Sequence, residues 1–296
     1  MYEEASQYDQ ISIERTVKSL CSLGIRQSPL TWERTRRWAK QFDEGAEKKL
    51  AWLILRHLVF RTTDQIESSI RQALKRAAQN FAEVGGFPEE TEWRDIFNRS
   101  ISGLSFYCSP PVASTLTSPG KSGELIARMI NRAYKIDKYY AYNFDKFEPA
   151  DRLLIVDDGS FTGEQLDAFL SFYPPAKEYP SQIAVVLSIA HEKAVSLLKD
   201  NHPLISVFCG EILLKGHCFE SMSSSWIEKR MWLDEPCTPL EVYNSLCAKH
   251  NLGGASSAFL GFGGLGVMLG YEHGIPDDSL SVLWDHSDTW IPLIER

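Results

Sequence analysis

Over the first eighty residues apolar positions recur every three or four places. Ile13, Val17, Leu20 and Cys21 predict a helix over residues 11–24, with Gly24 placed to end it. Ser28-Pro29 breaks the chain, and Thr31 can cap a second helix carrying Trp32, Trp38 and Phe42. A third helix is expected over about Ala46 to Phe60. Thr62-Thr63-Asp64-Gln65 then supplies a capping-box-like start for a fourth, reaching about Phe81. Gly85-Gly86-Phe87-Pro88 closes this all-helical stretch.

After Trp93 the period changes, and short apolar runs alternate with helical patterns, the mark of a mostly parallel sheet. Strands are expected at Ile101 to Ser109, Tyr139 to Phe144, Leu153 to Val156, Ile183 to Ser188 and Leu204 to Cys209. Helices are expected from the Ser118–Gly123 loop onward, from Leu166 to Phe172, and from His191 to Leu198. Beyond about Lys215 the pattern loosens into a tail holding Trp226, Trp232, Trp284 and Trp290, a helix over 239–250, a Gly-rich run from Gly253 to Gly266, and a strand at about Val267 to Tyr271. So many tryptophans imply burial, and the tail is expected to fold back over the sheet as a lid or hood packed on the core. The reading is α/β, in three parts: a helical N-terminal domain over 1–92, a core over 93–215 and an extension over 216–296.

The stretch around which the core is organised is Arg152 to Leu166. Leu153 to Val156 is an apolar strand, succeeded by adjacent carboxylates, Asp157 and Asp158. A small-residue loop, Gly159 to Gly163, then leads into a helix. Carboxylates at a strand end can accept hydrogen bonds from a ribose diol or hold a metal through water. The N–H groups of the loop and first helical turn favour a phosphate. The bland alternative is that the two acids only cap the turn after them. Upstream, Lys121, Ser122 and Gly123 open another helix and can hold an anion through backbone N–H groups, the hydroxyl and the lysine charge.

Three better-known motifs fail on single residues, and a fourth on its context. A Walker loop ending in Gly120-Lys121-Ser122 would need Gly at 115, where Thr115 stands. A phosphatase D-x-D-G would need Asp in place of Val156. A receiver domain would need an acceptor Asp where the chain reads Leu187-Ser188-Ile189-Ala190. Gly261 to Gly266 spells G-x-G-x-x-G, yet the next residues, V-M-L-G-Y, predict a strand and not the helix a dinucleotide site requires. These glycines are expected to serve tight turns or close backbone approach.

Composition narrows the class. With 44% hydrophobic and 24% charged residues the 296-residue chain is globular, and it has neither a membrane-length apolar run nor a basic-then-apolar leader pattern. Six cysteines without a C-x-x-C pair are expected to be reduced thiols, which points to the cytoplasm. The net charge of −8 is uneven: residues 26–80 hold 12 Lys and Arg against 6 Asp and Glu, or +6, and the remainder carries −14. Within that basic region Arg34, Arg36, Arg37 and Lys40 flank Trp38. That pattern can grip phosphates and stack a base, or can be a core tryptophan with solvated arginines around it.

Leu153 to Gly163 resembles the PRPP-binding motif of type I phosphoribosyltransferases, with Asp157, Asp158, Thr162 and Gly163 matching. Gly159 and Ser160 stand for its apolar pair, Phe161 for its first hydroxyl residue, and Glu164 where a small residue usually sits; a carboxylate there would repel a phosphate unless it points away. W-A-K-Q-F, S-G-E-L-I-A-R-M-I, V-D-D-G-S-F-T-G and the ending G-Y-E-H-G-I-P-D-D-S-L-S-V-L-W…W-I-P-L together resemble the PRTase-CE family of prokaryotic conflict systems, from residue 32 to the C-terminus.

The resemblance implies a phosphoribosyltransferase-like core and a role in bacterial defence against phage, beside a partner such as a retron-type reverse transcriptase or its nucleic acid. It implies that Asp157 and Asp158 hold the ribose hydroxyls, directly or through Mg²⁺. Gly159, Ser160, Thr162 and Gly163 would take the 5′-phosphate of PRPP or a nucleotide, and Lys121, Ser122 and Gly123 the pyrophosphate. Ribosyl transfer, glycosidic cleavage and a non-catalytic sensing or scaffold module docking through the basic helices all remain open at this point.

Overall fold

The structure, a computed structural model, describes residues 10–111, 122–138, 151–233, 235–254 and 258–295. The chain divides into two compact units, residues 1–63 with 214–296, and residues 64–213. The sequence pattern places boundaries near 92 and 215 instead. Helical periodicity makes residues 63–85 look continuous with the N-terminal helices, but it carries no record of which core a helix joins.

The first unit contains α1 (Gln10–Ser22), α2 (Trp32–Ala39), α3 (Ala46–His57) and β1 (Val59–Arg61). Its second chain segment adds α11 (Phe219–Glu228), α12 (Pro239–Lys249), β7 (Leu269–Tyr271) and α13 (Ser281–Trp284). Thr31 caps α2 by accepting from Arg34 N at 3.2 Å, and Thr238 with Glu241 forms a reciprocal capping box on α12. Trp226, Trp232 and Trp290 of the tail are buried, as their number required, and share one core with Trp38, Leu50, Leu53 and Leu55 of the N-terminal helices. The two segments are also tied by a short parallel ladder, Val59↔Leu269 to Arg61↔Tyr271.

The Gly-rich run before β7 serves close approach, as expected. A methyl group on Gly261 would lie 2.3 Å from the Ser279 carbonyl oxygen, and Gly261 also has φ +76°, so no other residue fits without moving backbone.

The second unit contains α4 (Thr63–Gly85), α5 (Trp93–Ile96), α6 (Arg99–Ser102), β2 (Ser105–Ser109), α7 (Ser122–Tyr134), β3 (Asp137–Lys138), β4 (Asp151–Ser160), α8 (Glu164–Phe172), α9 (Pro174–Glu178), β5 (Ile183–His191), α10 (Glu192–Asn201) and β6 (Ser206–Leu213). Its five strands form one all-parallel sheet in the order β3-β2-β4-β5-β6. The strand expected at Tyr139 to Phe144 lies outside the described residues, and the strand beside β2 is Asp137–Lys138.

Both faces of the sheet are covered, which is why its strands read as continuous apolar runs. Leu153 and Ile155 of β4 with Ile183, Val185 and Leu187 of β5 pack against Leu166 and Leu170 of α8 and Leu198 of α10. On the opposite face Phe106 of β2 meets Phe81 of α4 edge-on at 5.4 Å, while the Cys108 thiol reaches the Ala127 carbonyl of α7. Where α4 crosses β6, a methyl group on Gly210 would lie 2.3 Å from the Ser69 carbonyl oxygen, so helix and strand backbones touch there.

The strand order places the candidate site. From β2 the chain crosses to β3 on one side, while from β4 it proceeds to β5 and β6 on the other. Between β2 and β4 the winding reverses. In open α/β sheets such a reversal leaves a crevice at the carboxyl ends of the two strands, because the loops leaving them part to opposite faces.

Candidate functional site

The acidic pair stands at this crevice, and the strand that carries it runs further than the Leu153–Val156 expected, taking in Gly159 and Ser160 of the expected loop. β4 continues through Asp157 and Asp158 to Ser160, paired with β5 from Leu153↔Ile183 to Ser160↔Ala190. Asp, Gly and Ser are poor strand formers, so it is the long partner β5 that holds them extended. On its other edge β4 loses its neighbour early. The last pair with β2 is Ser109↔Ile155, so both carboxylates lie just past the end of β2.

The gap left by β2 is occupied by the start of α7. Ser122 Oγ donates to Asp157 Oδ1 at 3.3 Å. Next to it, a methyl group on Gly123 would lie 2.7 Å from Pro110 Cβ, 3.2 Å from Asp157 Oδ1 and 3.3 Å from the Val156 carbonyl. Glycine at 123 is therefore what lets a helix N-terminus close on the ends of two strands. The structure thus joins Ser122 and Gly123 to Asp157, which lies 35 residues beyond Ser122 in sequence. Lys121, the third member of that turn, lies outside the described residues.

Both acids are only 8% exposed. Burial first, and then the adjacent Asp158 carboxylate, push the Asp157 carboxyl well above the usual range; hydrogen bonds from Asp158 N at 3.0 Å and from Ser122 pull it down. Among the described residues the influences on Asp157 are burial, Asp158 and Ser122. Burial beside a second carboxylate makes the charged form of Asp157 costly, so the chemistry of this position calls for hydroxyl donors or a cation.

After Ser160 the chain turns into α8 through Phe161, Thr162 and Gly163. Gly163 caps the helix with φ +84°, and a methyl group there would lie 3.0 Å from Ala194 Cα in α10. Glycine is required both by the left-handed backbone and by the packing. Thr162 Oγ1 accepts from Glu164 N at 3.5 Å, and Ser160 and Thr162 are buried. The two side chains that depart most from the phosphoribosyltransferase pattern are placed apart: Phe161 is buried, and Glu164 is exposed to solvent.

One residue that sequence reading misses stands at the same edge of the sheet. His191 ends β5 beside Ala190, the partner of Ser160, and is not the first residue of a helix. The signal lies in the longer apolar run, I-A-V-V-L-S-I-A-H, which ends on it in the way that L-L-I-V ends on the acidic pair.

Arg34, Arg36, Arg37 and Lys40 belong to α2 and its C-terminal residue, in the other unit. Trp38 between them is a core residue, 2% exposed, so it stacks no base. Arg34 donates its Nε to the Leu293 carbonyl, Arg37 pairs with Glu33 at 3.3 Å, and Arg36 and Lys40 are exposed. Arg34, Arg37 and Gln41 line a groove of about 450 Å³ with Pro29, Ile291 and Pro292, and Glu33 and Glu295 bring two carboxylates to it. That mixed lining is not the uniformly basic surface that phosphate backbones select.

Among the described residues no group of three His, Cys, Asp or Glu side chains is arranged to hold a metal ion, and no helix is long and apolar enough to cross a membrane. The family model described as PRTase-CE matches residues 35–296, which takes in the acidic pair, the start of α7 and the C-terminal motif. No curated protein matches the chain.

Proposed function

The chain belongs to the PRTase-CE family, and from that membership and the geometry of the β2–β4 crevice we propose that it handles PRPP or a nucleotide at Asp157 and Asp158. The observation that carries this reading is the meeting of Ser122 and Gly123 with Asp157, one of two adjacent, buried carboxylates, where the strand order reverses. Asp157 and Asp158 accept from the ribose 2- and 3-hydroxyls. Gly159, Ser160, Thr162 and Gly163, with the first turn of α8, take the 5′-phosphate. Lys121, Ser122 and Gly123 at the start of α7 take the pyrophosphate.

A divalent cation suits this donor set. Mg²⁺ is commonly held by one or two carboxylates with water and substrate oxygens completing six, so two aspartates without a third ligand fit it. Held by Asp157 and Asp158, it would supply positive charge toward the pyrophosphate oxygens. The protein's own part is to orient the ribose and to hold its hydroxyls while positive charge develops at C1. In ribosyl transfer the C1–O bond to pyrophosphate breaks, pyrophosphate leaves with the electron pair, and a base nitrogen bonds C1 and gives up its proton. In glycosidic cleavage the C1–N bond of a nucleotide breaks, the base leaves with the electron pair, water oxygen bonds C1, and the proton that water loses ends on the base. The burial of Phe161 and the exposure of Glu164 support an active site over a degenerate one, since the carboxylate is not buried among the acids and the ring is packed away from solvent.

In the cell the reading is an effector of anti-phage defence acting on the nucleotide pool. The exposed Arg36 and Lys40 of the α2 segment are where a partner such as a reverse transcriptase, or its nucleic acid, would meet it. The test is release of pyrophosphate from Mg-PRPP, or of free base from nucleotides, by the purified chain. Turnover is expected to vanish in Asp157→Asn/Asp158→Asn, together with protection in phage plating. Turnover that survives the double substitution would put the chemistry elsewhere.

A further inference from the structure

Residues 68–82 and 125–135 together hold six Lys and Arg and no Asp or Glu, in a chain whose net charge is −8. The first run is the middle of α4, and the second is most of α7 with the residue after it. Both helices cover one face of the sheet, since Phe81 of α4 and Ala127 of α7 meet Phe106 and Cys108, which point to the same side of β2. They also touch directly, Arg71 Nε donating to Tyr134 Oη at 3.1 Å. Each helix turns its cations outward. On α4, Arg71 and Lys75 are exposed one turn apart, while Ala73, Leu74, Ala77 and Ala78 are buried. On α7, Arg128, Arg132 and Lys135 recur at helical spacing and are exposed, while Ile126, Ala127 and Ile130 are buried.

Arg71 pairs with Glu67 at 3.7 Å, and Arg76 donates to the Cys209 carbonyl at 3.0 Å. Among the described residues the side chains of Lys75, Arg128, Arg132 and Lys135 make no ion pair. A solvated helix face gains from opposite charges one turn apart and loses from like ones. Here one sign recurs along two adjacent helices, a repulsion that a bound polyanion turns into attraction. Aromatic surface adjoins these cations. Trp93, half-buried, lies 5.6 Å from the Tyr134 ring, and the Arg94 guanidinium stands over it at 5.2 Å. Such a group offers stacking to an unpaired base, whereas a duplex keeps its bases stacked on one another. Acids delimit the basic runs in sequence: Glu67 and Glu83 on α4, Glu124 on α7, and Glu89, Glu90, Glu92 and Asp95 around Trp93.

We propose that the outer face of α4 and α7 binds single-stranded nucleic acid, its phosphates meeting Lys75, Arg128, Arg132 and Lys135 and a base stacking at Trp93 and Tyr134. This surface goes beyond the phosphoribosyl reading and does not depend on what the crevice holds.

The test is fluorescence anisotropy of the whole chain with a labelled strand of about 20 thymidines, titrated at several salt concentrations. Four phosphate contacts predict a slope of log affinity on log salt of about −3. Lys75→Gln/Arg132→Gln removes one cation from each helix and keeps good helix formers, so the fold is expected to persist. It is expected to flatten the slope by about 1.4 and to weaken binding about tenfold or more in about 0.1 M salt. Lys177→Gln/Lys199→Gln makes the same charge change at exposed positions of α9 and α10, on the other face of the sheet, and is expected to bind as the parent does. Equal weakening in the two variants would reduce the effect to net charge and overturn the proposal. So would a duplex of the same length bound as tightly as the single strand. No binding by the parent at low salt would also overturn it, and would leave the face to an acidic protein partner. The Asp157→Asn/Asp158→Asn protein is expected to keep its strand, which separates this surface from the crevice.

Discussion

Asp157→Asn raises the melting temperature at pH 8 and removes ligand binding. Asn matches Asp in shape, its Oδ1 accepts from Ser122 Oγ and Asp158 N, and its Nδ2 donates to the Asp158 carboxylate, so the packing survives. What disappears is a charge whose ionised form burial and the Asp158 carboxylate both disfavour. The direction with pH comes from linkage. The folded protein holds the Asp157 proton to a higher pH than the unfolded chain, whose value is near 4. Between that value and the raised folded value the native state binds more protons, so stability declines as pH rises through the window and the full penalty applies above it.

The parent is therefore expected to lose melting temperature relative to Asp157→Asn from about pH 4 upward, and the difference between the two proteins cancels the titration of groups distant from the pair. Stabilisation of about 1 kcal/mol or more is the common size for relieving a functional site. For a protein of this length that is about 2–4 °C. A variant that melts below the parent at pH 8 would mean that Asp157 is a satisfied structural carboxylate. Saturating Mg²⁺ and ligand should narrow the gap, since they stabilise the parent alone.

The largest loss of stability is expected at Trp38. Its ring lies edge-on to Phe42 at 4.7 Å and to Trp290 at 6.0 Å. Its indole N–H and that of Trp290 donate to one carbonyl, Val282 O, at 3.1 and 3.0 Å. Two indoles thus use both lone pairs of a single buried oxygen. Trp38→Ala opens a cavity and leaves that oxygen with one donor, a cost of about 3–5 kcal/mol, against the roughly 5–15 kcal/mol by which a domain is stable. Urea unfolding monitored by near-UV circular dichroism should register it. Trp38→Phe, which keeps most of the volume and loses the donor, should cost much less, about 1–2 kcal/mol. A loss under about 1 kcal/mol for Trp38→Ala would contradict the shared core of the N-terminal helices and the tail.

These two residues also mark what the sequence could and could not convey. Helices and strands are readable wherever the apolar period is sustained. The acidic pair stands out in the sequence as two aspartates directly after an apolar strand, although the same pair would also suit a turn cap. The burial of Trp38 among arginines comes from the same reasoning. Partners distant in sequence are not readable. Nothing in S-G-E-L-I marks Ser122 as a donor to Asp157, and nothing in the tail's tryptophans says that they join Trp38. Periodicity identifies an apolar face without identifying the face it meets.

The length of β4 escapes the sequence pattern for a related reason. D-D-G-S has the composition of a loop, and it is extended only because β5 runs alongside it to His191. His191 escapes with it, since a histidine between an apolar run and a charged helix start reads as a boundary. The residues that define the crevice are the ones that local propensity misassigns, as expected where a site overrides local rules.

The claim on which the rest depends is that the crevice binds a phosphorylated ribose through Asp157 and Asp158. Titration calorimetry of the whole chain with PRPP and Mg²⁺, beside the Asp157→Asn/Asp158→Asn protein, addresses it directly. The account predicts saturable binding by the parent and none by the double variant, with the variant folded and at least as heat-stable. Equal binding by both proteins, or no binding of PRPP or any common nucleotide by the parent, would contradict it.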